Sequence, residues 1–144
     1  MKKTVYILIL IFILFFFVSL CNGDTQWGSY LWKSKIEKGV LKVKGPGGYS
    51  PWGHRWEKVA SNVVHYKEVP TSLGPIFAYK NKYGNWYIVR LRFNTGRKEN
   101  FRSVGRNPVK FTKVMKYGAF VKIGRNCYSY HHYAFQKIAS KYCN

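Results

Sequence analysis

The sequence predicts a mainly β domain: an antiparallel sandwich or partly open barrel, closed by a short C-terminal helix. Three observations carry that prediction. Short runs alternate apolar and basic residues with period two, Gly, Pro and Asn punctuate them, and one C-terminal stretch changes to helical spacing.

In chain order, the first element is a leader. Lys2 and Lys3 precede an apolar run of 16 residues, Val5 to Leu20, interrupted only by Ser19, and the small or polar Cys21, Asn22 and Gly23 follow. This reads as a signal peptide over residues 1–23, with a single secreted domain over residues 24–144. The run is shorter than the roughly 18 residues that argue for a retained anchor. Leu20 is too large to precede a lipidated cysteine at Cys21.

The strand candidates are Gly39 to Lys44, Asn62 to Val69, Ile76 to Lys80, Trp86 to Phe93, Pro108 to Met115 and Ala119 to Arg125. Asn81-Lys82-Tyr83-Gly84-Asn85 reads as the turn of one hairpin, and Lys116-Tyr117-Gly118 as that of a second. Within Trp86 to Phe93, Tyr87, Val89, Leu91 and Phe93 fall on one face, which leaves Arg90 and Arg92 on the other. Leu41 and Val43 alternate with Lys42 and Lys44, Val109 and Phe111 with Lys110 and Thr112, and Val121 and Ile123 flank Lys122. If these strands share a sheet, its outer face is a field of Lys and Arg.

Two stretches read as irregular. Gly45-Pro46-Gly47-Gly48-Tyr49-Ser50-Pro51-Trp52-Gly53 is too rich in Gly and Pro for regular structure, yet it carries Tyr49 and Trp52, with Trp56 just beyond. Asn94 to Asn107 reads as a basic linker holding Arg97, Lys98, Arg102 and Arg106.

Phe135, Ile138, Ala139 and Tyr142 have the spacing of an amphipathic helix. Cys127 and Cys143, the two cysteines beyond the leader, are expected to pair in an exported protein. A continuous helix between them would hold their Cα atoms about 24 Å apart, whereas a bridge needs under roughly 7 Å. A short helix near His131 to Ser140 with folded-back flanks reconciles the two expectations; the alternatives are a strand, or each cysteine pairing elsewhere.

Charge is the strongest functional signal. The chain carries 25 Lys and Arg against 5 Asp and Glu, a formal net charge of +20, and only Lys2 and Lys3 of those cations lie in the leader. So large an excess attracts polyanions: sulfated glycans, nucleic acid or anionic membrane surfaces. Trp27, Trp32, Trp52, Trp56 and Trp86, with twelve tyrosines, add rings that suit interfaces, although Trp86 in the strongest strand is expected to be packed.

Catalysis is less well supported. A ribonuclease needs a paired acid and base, and His54, His65, His131, His132, Glu57, Glu68 and Glu99 show no spacing that selects a pair. His131 and His132 are adjacent and cannot easily chelate one metal ion. Neither a phosphate-cradling glycine loop nor a nucleophile motif is present, and no cofactor is expected.

The sequence therefore points to a secreted, non-enzymatic polyanion-binding protein. Its anion-binding residues would be Lys42, Lys44, Arg90, Arg92, Arg97, Lys98, Arg102, Arg106, Lys110 and Lys122, with Tyr49, Trp52 and Trp56 as aromatic contacts. A membrane-active antimicrobial, an immune, salivary or venom effector inhibiting one host protein, and a small secreted ribonuclease are the competing classes.

Overall fold

Eleven antiparallel strands and one 3-10 turn make up the computed structural model, which describes residues 32–45, 55–92, 95–131 and 134–144. Residues 1–23, read above as a signal peptide, and Trp27, Tyr49, Trp52, His54, Phe93 and His132 lie outside them. The strands are β1 (Lys33–Glu37), β2 (Val40–Lys44), β3 (Trp56–Ala60), β4 (Val63–Val69), β5 (Ile76–Asn81) and β6 (Trp86–Leu91). There follow β7 (Lys98–Gly105), β8 (Val109–Met115), β9 (Gly118–Ile123), β10 (Asn126–Tyr130) and β11 (Phe135–Ile138), with the 3-10 turn at Ser140–Cys143.

They form three successive meanders: sheet A in the order β1-β2-β3, sheet B in the order β4-β5-β6-β7, and sheet C in the order β11-β10-β9-β8. None closes into a barrel. Local chemistry sets the corners. Lys38 and Gly39 both adopt positive φ, 50° and 75°, the pair that a two-residue hairpin with the right twist requires between β1 and β2. At the β5–β6 turn the Asn81 side chain accepts from the backbone N–H groups of Tyr83 and Asn85, both at 3.0 Å. This hairpin and the one at Lys116–Tyr117 form where the sequence places them.

Sheet B is the middle layer. Along β5 and β6, Phe77, Tyr79, Val89 and Leu91 pack with Trp32, Leu41, Val43 and Val59 of the sheet A side. The alternate residues Ile76, Ala78, Trp86 and Ile88 pack with Val109, Ala119, Val121, Ile123 and Tyr130 of sheet C. Strands covered on both faces must be apolar on both, as IFAY and WYIV are. The exception is Arg90, which continues the covered face of Trp86 and Ile88.

Two expectations are corrected here. The stretch Asn94 to Asn107 is not a linker, since most of it is β7, the edge strand of sheet B. Its charges are what an exposed edge needs to avoid pairing with another chain. The C-terminal stretch is not a helix near His131 to Ser140: β10 and β11 form a hairpin with Cys127 opposite Ile138, and the only helical geometry among the described residues is the closing 3-10 turn. Hairpin return brings the Cys127 and Cys143 Cα atoms to 5.7 Å, and the disulfide forms. Gly118 is fixed by the same corner, because a Cβ there would run into the Tyr130 carbonyl oxygen.

Between β1 and β4, Tyr66 donates to the Ser34 hydroxyl at 3.0 Å, and Ser34 in turn donates to the Glu68 carboxylate. Burial pushes the Glu68 carboxyl above its ordinary 4.5, with the Ser34 hydrogen bond opposing. The folded state then holds this proton more tightly than the unfolded chain, so Glu68 lowers stability as pH rises above 4.5. Glu68→Gln is accordingly expected to gain stability relative to the parent between pH 4.5 and 7, measured as the difference in Tm at the two pH values. A constant difference would contradict the assignment.

Candidate anion-binding face

Leu41 and Val43 point into the core, so Lys42 and Lys44 point outward from sheet A, and their register partners share that side. Lys44 pairs with Lys33 on one neighbour and Trp56 on the other; Lys42 pairs with Lys35 and Lys58. Five lysines and one tryptophan thus form two rows across three strands. Adjacent positions within a row are about 5 Å apart and the rows about 7 Å apart. Like charges directly opposite destabilise a sheet, so folding alone gives no reason for this arrangement.

Trp56 is 38% exposed, and the Lys35 ammonium sits 4.6 Å from its ring centroid, a cation–π contact. Glu37 is the acid of this face. It accepts from Lys35 at 3.0 Å and Lys42 at 2.6 Å, and those hydrogen bonds, Lys42 first, hold its carboxyl down at about 2. Glu57, opposite Val43, falls on the other face. Lys33, Lys44 and Lys58 have no acid in salt-bridge contact among the described residues.

The other expected anion-binding residues do not join this face. Lys110 and Lys122 are register partners on the outer face of sheet C. Arg97, Lys98, Arg102 and Arg106 belong to β7 and its flanks. Of these, Lys98 donates to the Val59 carbonyl at 2.5 Å, and burial lowers its pKa. Arg92 is held by Glu99, Nε to Oε1 at 2.8 Å, and both are largely covered. The single basic field expected from the strand alternation is therefore two lysine faces and an arginine-bearing edge.

Arg90 is a clear correction. It is 0% exposed, packed between sheets B and C with its guanidinium 5.4 Å from the Tyr130 ring centroid. Nη2 donates to the Tyr117 carbonyl at 2.5 Å, while Nε and Nη1 have no hydrogen-bond partner. Burial lowers its pKa, opposed by the Tyr130 and Glu99 charges. Such a side chain cannot meet a macromolecule.

Sequence reasoning missed Lys33, Lys35 and Lys58, because β1 and β3 went unread. Of the acid–base candidates, His65 lies with its ring edge-on to Trp86 at 5.7 Å, His131 closes the β10–β11 turn through its backbone, and Glu68 and Glu99 have the partners given above. Among the described residues no hydrogen bond joins a His to a Glu, and no group of three His, Cys, Asp or Glu could hold a metal ion. The chain matches no protein family model, no curated protein and no solved structure.

Proposed function

We propose that this is a secreted, non-enzymatic binding protein that docks on a sulfated polysaccharide through the outer face of sheet A. The observation that carries the reading is the double row of Lys33, Lys44 and Trp56 beside Lys35, Lys42 and Lys58. Its cations are all lysines, compact point charges that suit a run of sulfates; the arginine forks that read base edges are absent from it. One partly exposed ring, already capped by an ammonium, suits a sugar face better than a series of stacked bases, which needs several bare rings. The Cys127–Cys143 bridge fits an oxidising compartment outside the cytosol, where sulfated glycans are the abundant polyanions. Together with the apolar leader, it supports export.

The test compares two triple variants with equal change in net charge. K33E/K44E/K58E reverses three lysines of the face, whereas R102E/R106E/R125E reverses three exposed arginines of the sheet B edge and nearby turns. With each exposed charge contact contributing up to about 1 kcal/mol, the face variant should lose about 10- to 100-fold in heparin affinity. The control should lose no more than about threefold at physiological salt, because distant charges are screened. Equal losses would remove the face from the account. Tighter retention of single-stranded DNA than of heparin would make nucleic acid the partner.

A further inference from the structure

The layer order has a consequence for valency. Because alternate residues of β5 and β6 enter two different cores, sheets A and C cover opposite faces of sheet B. Their outer faces therefore look away from each other across the molecule. With sheets packed about 10 Å apart, the two outer backbones are separated by about 20 Å.

The outer face of sheet C is also lysine-bearing. Lys110 and Lys122 stand directly opposite each other, and Lys113 is opposite Phe120, its ammonium 5.9 Å from that ring's centroid. The closing 3-10 turn lies on this same face. Tyr142 packs on Phe120 at 5.9 Å, and Lys141 sits 5.3 Å from the Tyr142 ring centroid. The disulfide from Cys143 to Cys127, the register partner of Lys122, holds the turn there. Tyr142 is 52% exposed. From Phe101 to Asn144 the chain contains no Asp or Glu, so no acidic side chain of sheet C offsets these lysines.

We infer that the protein is bivalent. Resting on the reading of sheet A as a sulfated-glycan face, the inference is that Lys110, Lys113, Lys122 and Lys141 take a second sulfated segment. The occupant of both faces is the same chemistry, lysine rows with one partly exposed ring against a linear polysulfate. A short oligosaccharide cannot reach from one face to the other, so two bind independently, more tightly on the five-lysine face of sheet A. The affinity left in K33E/K44E/K58E is that of the weaker sheet C face. A long chain engages one face of each molecule while a second chain takes the opposite face. The activity that follows is cross-linking of polysaccharide chains, and it depends on both faces.

The test begins with the unaltered protein and a heparin hexasaccharide, followed by calorimetry and native mass spectrometry. Two hexasaccharides per protein are expected; one would overturn bivalency while leaving polyanion docking intact. No binding at all would overturn the underlying reading as well. Unfractionated heparin is then titrated in, and assembly followed by light scattering. The parent and R102E/R106E/R125E should form large complexes, whereas K110E/K113E/K122E should bind heparin, take one hexasaccharide and scatter at least tenfold less. A sheet C variant that keeps its parental Tm and scatters like the parent would overturn the inference. The stoichiometry on the parent decides the matter even if that variant does not fold.

Discussion

Arg90→Glu is expected to unfold the domain or come close to it, with a loss of more than about 4 kcal/mol. The position is fully buried between sheets B and C, against the face of the Tyr130 ring and the Tyr117 carbonyl oxygen. A carboxylate there would meet the negative face of a ring and a carbonyl dipole, with no donor to replace Nη2. Native domains have only about 5–15 kcal/mol in total, so this single change consumes a large part of it. Arg90→Met should behave quite differently and remain within about 1.5 kcal/mol of the parent, because a side chain of similar length also removes two buried donors that have no partner. Urea unfolding of the three proteins checks both. An Arg90→Glu protein with the parental midpoint would mean that Arg90 faces solvent, and the three-layer arrangement would be wrong.

The second large effect concerns the bridge. Cys127 and Cys143 are 16 residues apart, and closing a loop of about 15 residues stabilises by about 3 kcal/mol, chiefly by restricting the unfolded chain. C127A/C143A should therefore lose about that much unfolding free energy, read as a lower urea midpoint at unchanged m, and release the 3-10 turn from sheet C. Cys127 is buried beneath that turn, so part of the loss comes from packing. Equal midpoints for the parent with and without reductant would contradict the assignment of the bridge as a stabilising clip.

Much of the fold was legible wherever alternation was clean. β2, β8 and β9 show it, β4, β5 and β6 are runs rich in β-branched and aromatic residues bounded by turn residues, and the turn residues between β5 and β6 name themselves. The unread strands have physical reasons. β1, KSKIE, and β3, WEKVA, are five residues each and half charged or polar, so neither propensity nor pattern stands out. β7, KENFRSVG, resembles a linker because an edge strand is selected to look unlike a good strand. In the C-terminal hairpin, Phe135 and Ile138 carry a spacing that a helix also has. The cysteine distance was the better guide, since only a return of the chain closes the bridge.

The site was half legible. Outward Lys42 and Lys44 follow from inward Leu41 and Val43, but their alignment with Lys33, Lys35, Lys58 and Trp56 is a matter of register between strands. A local reading does not contain it. Arg90 was misplaced by treating β6 as covered on one face. The signal lay in WYIVRL itself: Trp86, Ile88 and Arg90 share a face, and two large apolar residues on it mean that face is covered too. A guanidinium continuing such a face is in the core.

The central claim is that the lysines are arranged to fit a polysulfate and do more than supply charge. The most direct measurement is elution of residues 24–144 from heparin and from a sulfonate cation exchanger of matched charge density, along one salt gradient. Elution from heparin at distinctly higher salt is the predicted result, because spaced rows with a sugar-facing ring add contacts beyond counterion release. Coincident elution would contradict the account and reduce the two faces to generic positive charge.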